Sequence, residues 1–179
     1  MSTEKKQIYL VISQTGTMLS RIIKLLTGAK YNHASISLVD DLKYIYSFGR
    51  VNPYNPFIGG FVLESARFGT FKRFKNTTAK ILAVDVTDEQ YKRVADTIHT
   101  MWSDKSHYKY NYLGLFLAAI KINRKKTDRY YCSEFVAKMV TVAGLVPPER
   151  YDKIVHPLDF FEIPHKEIYS GKLRDYKKP

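Results

Sequence analysis

Apolar residues along this chain recur in two periods, and each period predicts its own elements. Residues 7–13, QIYLVIS, form an unbroken β-branched and aromatic run, the mark of a buried strand. Residues 33–39, HASISLV, alternate: Ala34, Ile36 and Leu38 share one face, and His33, Ser35 and Ser37 share the other. This predicts a half-buried strand with His33 on its polar side. Asp40-Asp41 carries turn chemistry into 42–48, LKYIYSF, which reads as a hairpin partner. Further strands are predicted at 61–66, where Val62, Glu64 and Ala66 share a face, and at 70–75 and 80–86.

Helical spacing takes over elsewhere. Thr17 can cap a helix with apolar positions Met18, Leu19, Ile22, Ile23, Leu25 and Leu26, ended by Gly28. Thr87-Asp-Glu-Gln90 is a capping box opening a helix that buries Tyr91, Val94, Ala95, Ile98, Met101 and Trp102. Residues 112–121 are apolar nearly all round, so that helix either packs in the core, the preferred reading, or lies against a partner or lipid. A last helix begins at Cys132, keeps its period through Phe135, Val136, Met139, Val140 and Ala143, and stops at Gly144. Gly and Pro punctuate residues 49–60, predicting a loop long enough to act as a lid. The tail from Pro147 shows little periodicity and is expected to wrap the surface. The whole reads as one α+β domain over 1–179, without internal repeats.

Composition narrows the function classes. The 179 residues carry 29 Lys+Arg against 17 Asp+Glu, a formal charge of +12, so long-range partners are expected to be anionic. Arg67, Lys72, Arg73, Lys75 and Lys80 form one basic cluster, and Lys121, Arg124, Lys125, Lys126 and Arg129 another. Each fits a phosphate-binding role or simply a solvated basic face. No nucleic-acid motif is present, so no specific nucleic acid is expected. A single cysteine excludes an internal disulfide, and without a CxxC or HxxxH pair neither a structural metal nor a cofactor is expected. The apolar runs are too short for a signal-peptide core or a membrane span, so a cytoplasmic, non-spanning protein is expected.

Cys132 sits at a predicted helix N-terminus, where unpaired N–H groups and the helix dipole favour thiolate over thiol. An imidazole beside such a sulfur can exchange its proton with a leaving group, and a carboxylate on the other ring nitrogen fixes the tautomer. His33 and Glu64, polar residues on two strands, could fill those roles. Residue by residue, structural readings stand beside this one: a cysteine packed as a small hydrophobe, a hydrogen-bonded strand histidine, a solvated strand glutamate.

The order of the blocks adds more. TGTMLSRIIKLLTGAKYNHASISL, FVLESA, YKYNYLGL and YYCSEFVAKMV together resemble the circularly permuted, papain-like (NlpC-type) cysteine hydrolases, the group containing the YiiX-like proteins and, more distantly, lecithin:retinol acyltransferase. The resemblance covers roughly residues 8 to 144. It implies a permuted papain-like fold with Cys132 as nucleophile, His33 as general base and acid, and Glu64 orienting the imidazole. Tyr110, Tyr131 and Ser133 fall at oxyanion or substrate-side positions. Family members usually carry an aspartate after the upstream aromatic residue, where this chain has Asn111 after Tyr110, and the Cys132 backbone N–H is the favoured oxyanion donor. Ser133 and Glu134 match the family block, although a first-turn glutamate also suits the helix dipole.

The leading expectation is therefore a hydrolase that cleaves an amide or ester bond of a peptide or acyl-ester substrate through a Cys132 thioester. Two rivals are a thiol acyltransferase working at an anionic lipid surface, which the helix 112–121 and its basic neighbour would suit, and a non-catalytic basic module binding a ligand or nucleic acid. The cleft walls are expected from the 49–60 loop and the 103–131 region.

Overall fold

The computed structural model describes residues 6–17, 24–25, 28–52, 54–55, 58–66, 68–122, 128–152 and 154–178. The first apolar run is strand β1 (Lys6–Gln14), and the alternating segment is β2 (His33–Ser37). Then come β3 (Ile45–Arg50), β4 (Gly59–Glu64), a short helix α1 (Gly69–Arg73) and β5 (Thr78–Val86). The capping-box helix is α2 (Asp88–Ser103). Two-residue strands β6 (Lys109–Tyr110) and β7 (Arg129–Tyr130) flank α3 (Tyr112–Ala119), and α4 (Cys132–Val142) follows. After short 3-10 turns comes the last strand, β8 (Lys166–Lys172), followed by one more 3-10 turn, Leu173–Asp175.

The fold is α+β. Among the described residues the strands form one sheet in the order β7-β6-β4-β3-β2-β1-β5-β8, antiparallel throughout except for β6 and β7. β1 lies near the middle, and both its faces are buried. Ile8, Leu10 and Ile12 join the larger core with Val94, Ile98 and Met101 of α2 and Phe135, Val136, Met139 and Val140 of α4. Tyr9 and Val11 face the opposite way into a smaller core with Phe71 of α1, Leu173 and Tyr176.

That second core corrects the reading of β2 as half-buried. Ser35 and Ser37 are fully buried beside it, and a serine is tolerated there because its hydroxyl can donate to a backbone carbonyl. Ser35 Oγ donates to Val11 O (3.4 Å) and Ser37 Oγ to Val39 O (2.8 Å).

Residues 70–75 are not a strand. Thr70 and Phe71 are buried together while Lys72 and Arg73 are exposed, a pairing that suits the α1 turn and not a pleat. The tail does more than wrap the surface: β8 pairs with β5 along the sheet edge, and Leu173 N donates to Thr77 O (2.9 Å). An edge strand is held by backbone hydrogen bonds, which leave little imprint on side-chain periodicity. The loop predicted at 49–60 is shorter, since β3 reaches Arg50, β4 starts at Gly59, and Val51 N donates to Ile58 O (3.0 Å). Most of the helix predicted from Thr17 lies outside the described residues. Lys24 and Leu25 are helical, and Gly28, at φ +68, donates to Lys24 O as a helix stop should.

Candidate functional site

Cys132 is the first residue of α4, with Tyr131 as N-cap in extended conformation. Glu134 holds this helix start in place. Its Oε2 accepts from the Tyr131 backbone N–H (3.0 Å) and from Asn111 Nδ2 (3.3 Å), while Asn111 Oδ1 caps α3 by accepting from Gly114 N (2.9 Å). One buried carboxylate thus ties the starts of α3 and α4 together. A side chain at Gly114 would collide with this cap, since its Cβ would fall on the Asn111 amide.

His33 opens β2 and Glu64 closes β4, two strands separated by β3. Both point to the side of the smaller core, and Nε2 of His33 stands 3.2 Å from Oε2 of Glu64 with the side chains 12% and 5% exposed. Gly49 of β3 leaves the room between them. A Cβ there would sit 3.8 Å from His33 Cε1 and 3.7 Å from Glu64 Oε1. Phe71 meets the imidazole edge-on, the ring centroids 6.2 Å apart.

The thiol and the imidazole shift each other's protonation. Burial alone would push the Cys132 thiol up, but the hydrogen bond and charge of His33, helped by the Ala34 backbone and the Ser133 side chain, bring it below its ordinary value. Burial alone would lower His33, yet the hydrogen bonds and negative charge of Cys132 and Glu64 push it up to about 10. Both shifts favour thiolate and imidazolium over thiol and imidazole. With Nε2 committed to Glu64, Nδ1 is the ring nitrogen left for the sulfur.

The remaining candidates surround this pair. Ser133 Oγ is 4.0 Å from Cys132 Sγ. Tyr110 is buried, and burial together with the negative charge of Cys132 raises its hydroxyl well above the ordinary range, so it stays a neutral O–H. The Tyr131 hydroxyl is also raised, chiefly by burial, and donates to Val155 O (3.4 Å).

Cys132 lines a groove with a cavity volume of about 30 Å³. Its apolar walls come from Tyr31, from Leu115, Ala118 and Ala119 of α3, and from Val155 and Pro157. The 103–131 region contributes as expected, but none of the described residues of the 49–60 loop lines the groove. The 155–157 segment does so instead, in a stretch whose sequence has no regular period. The capping role of Asn111 and the space left by Gly49 were not read from the sequence. The Asn–Tyr–Leu–Gly order before an apolar helix is a cap signature that could have revealed Asn111, whereas nothing local marks Gly49.

Fold and site together define an α+β protein with a buried thiol–imidazole–carboxylate set, the sulfur on a helix start and its partners on the sheet. In particular, the chain is similar in fold to the crystal structure of metalloprotein YiiX from Escherichia coli O157:H7, DUF1105. The TM-score is 0.51 at 18% identity, over 95% of this chain and 98% of that one. No model of a known protein family matches the sequence, and no curated protein matches it. The YiiX structure is described as that of a metalloprotein. Among the described residues of this chain, no group of three or more His, Cys, Asp and Glu is placed to hold a metal ion.

Proposed function

We propose that this chain is a cysteine hydrolase of permuted papain-like, NlpC-type architecture that cleaves an amide or ester bond. The observation that carries the reading is the thiol at the first position of α4, lowered in pKa by His33, with the far nitrogen of that imidazole held 3.2 Å from Glu64. The fold likeness to YiiX supports a YiiX-like α+β arrangement for this chain.

In the first half-reaction the Cys132 thiolate attacks the carbonyl carbon, forming a C–S bond as the carbonyl electrons move onto oxygen. The α4 start offers its Cys132 N–H to that oxyanion, with Ser133 Oγ 4.0 Å from the sulfur. Collapse expels the amine or alcohol, which takes the proton of the His33 imidazolium. Neutral His33 then draws a proton from water as the water attacks the thioester, and the thiolate leaves. Glu64 keeps the ring oriented and balances its charge through both steps.

Alkylation by iodoacetamide tests the core of this reading. The wild-type protein should label at neutral pH, and His33→Ala should slow labelling about tenfold or more. A thiol with an ordinary titration that labels equally fast in both proteins argues against a catalytic pair.

A further inference from the structure

α3 is apolar on every side, yet only part of it is buried. Gly114, Leu115 and Ala118 turn inward. Leu113 is 54% and Phe116 57% exposed, and Ile120 and Ile122, just beyond the helix, are 45% and 50% exposed. Leu113, Phe116 and Ile120 follow the helical repeat, so they form one outward stripe. A solvent-facing stripe is normally polar, and large apolar side chains clustered in water mark a surface that meets a partner.

The charges around the stripe say what kind of partner. Lys109 on β6, just ahead of α3, is the register neighbour of Arg129 on β7, and Lys121 lies just after the helix; all three are exposed. Between Lys105 and Thr127 the sequence carries six Lys and Arg and no Asp or Glu. Asp128, the next acidic residue, has its carboxylate 3.6 Å from Nε2 of His107. An apolar stripe bracketed by cations matches a surface that is apolar inside and anionic at its boundary. A second copy of the chain would bring +12 against +12, which opposes self-association through this face.

We propose that the outer face of α3 docks on an anionic lipid bilayer, with Leu113, Phe116 and Ile120 entering the interface and Lys109, Lys121 and Arg129 meeting the headgroups. The inner face of the same helix supplies Leu115, Ala118 and Ala119 to the Cys132 groove, so docking sets that groove beside the lipid. Among the described residues no helix is long and apolar enough to cross a membrane, so the contact is peripheral. It deepens the hydrolase reading by naming a surface for it, but it does not require Cys132 to react.

Vesicle flotation of the full chain tests it. The protein should float with phosphatidylcholine vesicles containing phosphatidylglycerol, stay behind with phosphatidylcholine alone, and come off as salt is raised. Leu113→Glu combined with Phe116→Glu should lower partitioning about tenfold or more while iodoacetamide labelling of Cys132 stays unchanged. As a second readout that keeps the apolar surface, Phe116→Trp should shift its emission to the blue when the anionic vesicles are added. No flotation at low salt, or flotation equal in the double variant, overturns the proposal. So does a wild-type dimer in solution that Phe116→Glu dissociates, which would assign the face to a second copy. Loss of thiol reactivity in His33→Ala with flotation intact would separate the two readings.

Discussion

Oε2 of Glu64 lies 3.2 Å from Nε2 of His33, although the two residues belong to strands that do not touch. The carboxylate reaches the imidazole past β3, and the position between them is Gly49. The other end of the ring is thereby turned to the start of α4, where Cys132 waits. One buried ion pair thus joins the start of β2 to the end of β4.

Removing the carboxylate should uncouple the set. Glu64→Gln retains a hydrogen-bonding group but no charge, so the His33 pKa should fall and the thiolate should lose part of its support. Glu64→Ala should also cost about 1–3 kcal/mol of stability by leaving a buried imidazole nitrogen without a partner. Imidazole ¹⁵N shifts check the first effect, and denaturant melts check the second. An unchanged His33 titration in Glu64→Gln would remove Glu64 from the set.

The pH dependence follows from the two shifts. Cys132 is lowered and His33 is raised to about 10, so the thiolate–imidazolium pair exists from the lowered thiol value up to about 10. Thiolate absorbance in the ultraviolet should therefore appear on the acid side of the ordinary cysteine value of 9.0. Bond cleavage, which needs the imidazolium proton, should decline as pH rises through about 10. In His33→Ala burial still raises the sulfur and only the Ala34 backbone and the Ser133 side chain oppose it, so the thiolate limb should move to higher pH. A limb at the same pH in both proteins contradicts the pairing.

Gly49 should accept a methyl group and nothing larger. Its Cβ position already lies 3.4 Å from Val62 Cγ2, so Gly49→Ala should be near neutral. Gly49→Val should cost about 1–3 kcal/mol by overpacking and part His33 from Glu64. Far-ultraviolet circular dichroism should stay native while alkylation of Cys132 slows. Unaltered alkylation in Gly49→Val would show that the space above β3 is not needed.

The Glu134–Asn111 clamp predicts a stability effect of its own. Glu134→Ala leaves the Tyr131 N–H and the Asn111 amide without their acceptor, and should cost about 1–3 kcal/mol. Asn111→Ala should cost about 1 kcal/mol through the lost α3 cap. Because the two share one hydrogen bond, the double variant should cost less than the sum of the two. Chemical denaturation of the four proteins checks this, and strict additivity would mean that the clamp does not act as a unit.

Much of this fold was legible because its signals are local. The Thr87–Gln90 box, the Cys132–Gly144 repeat and the alternation of β2 each report a few neighbouring residues, and the corresponding elements stand where those patterns put them. The errors share a cause as well. β6, β7 and β8 are edge or two-residue strands fixed by backbone pairing, and α1, at five residues, is too short for a helical repeat to show. For helix 112–121, the two readings of its apolar surface were not exclusive. One side of α3 packs inward and the other faces out.

By itself the sequence determined that His33, Glu64 and Cys132 sit on separate ordered elements, because periodicity and capping are properties of adjacent residues. It also determined that the sulfur opens a helix. Only the tertiary structure decided that the three side chains meet, that Gly49 leaves the carboxylate its path, that 155–157 walls the groove, and that the polar face of β2 is buried. Those facts depend on strand order and on which layers cover the sheet, and such contacts join residues whose separation along the chain carries no periodic signal.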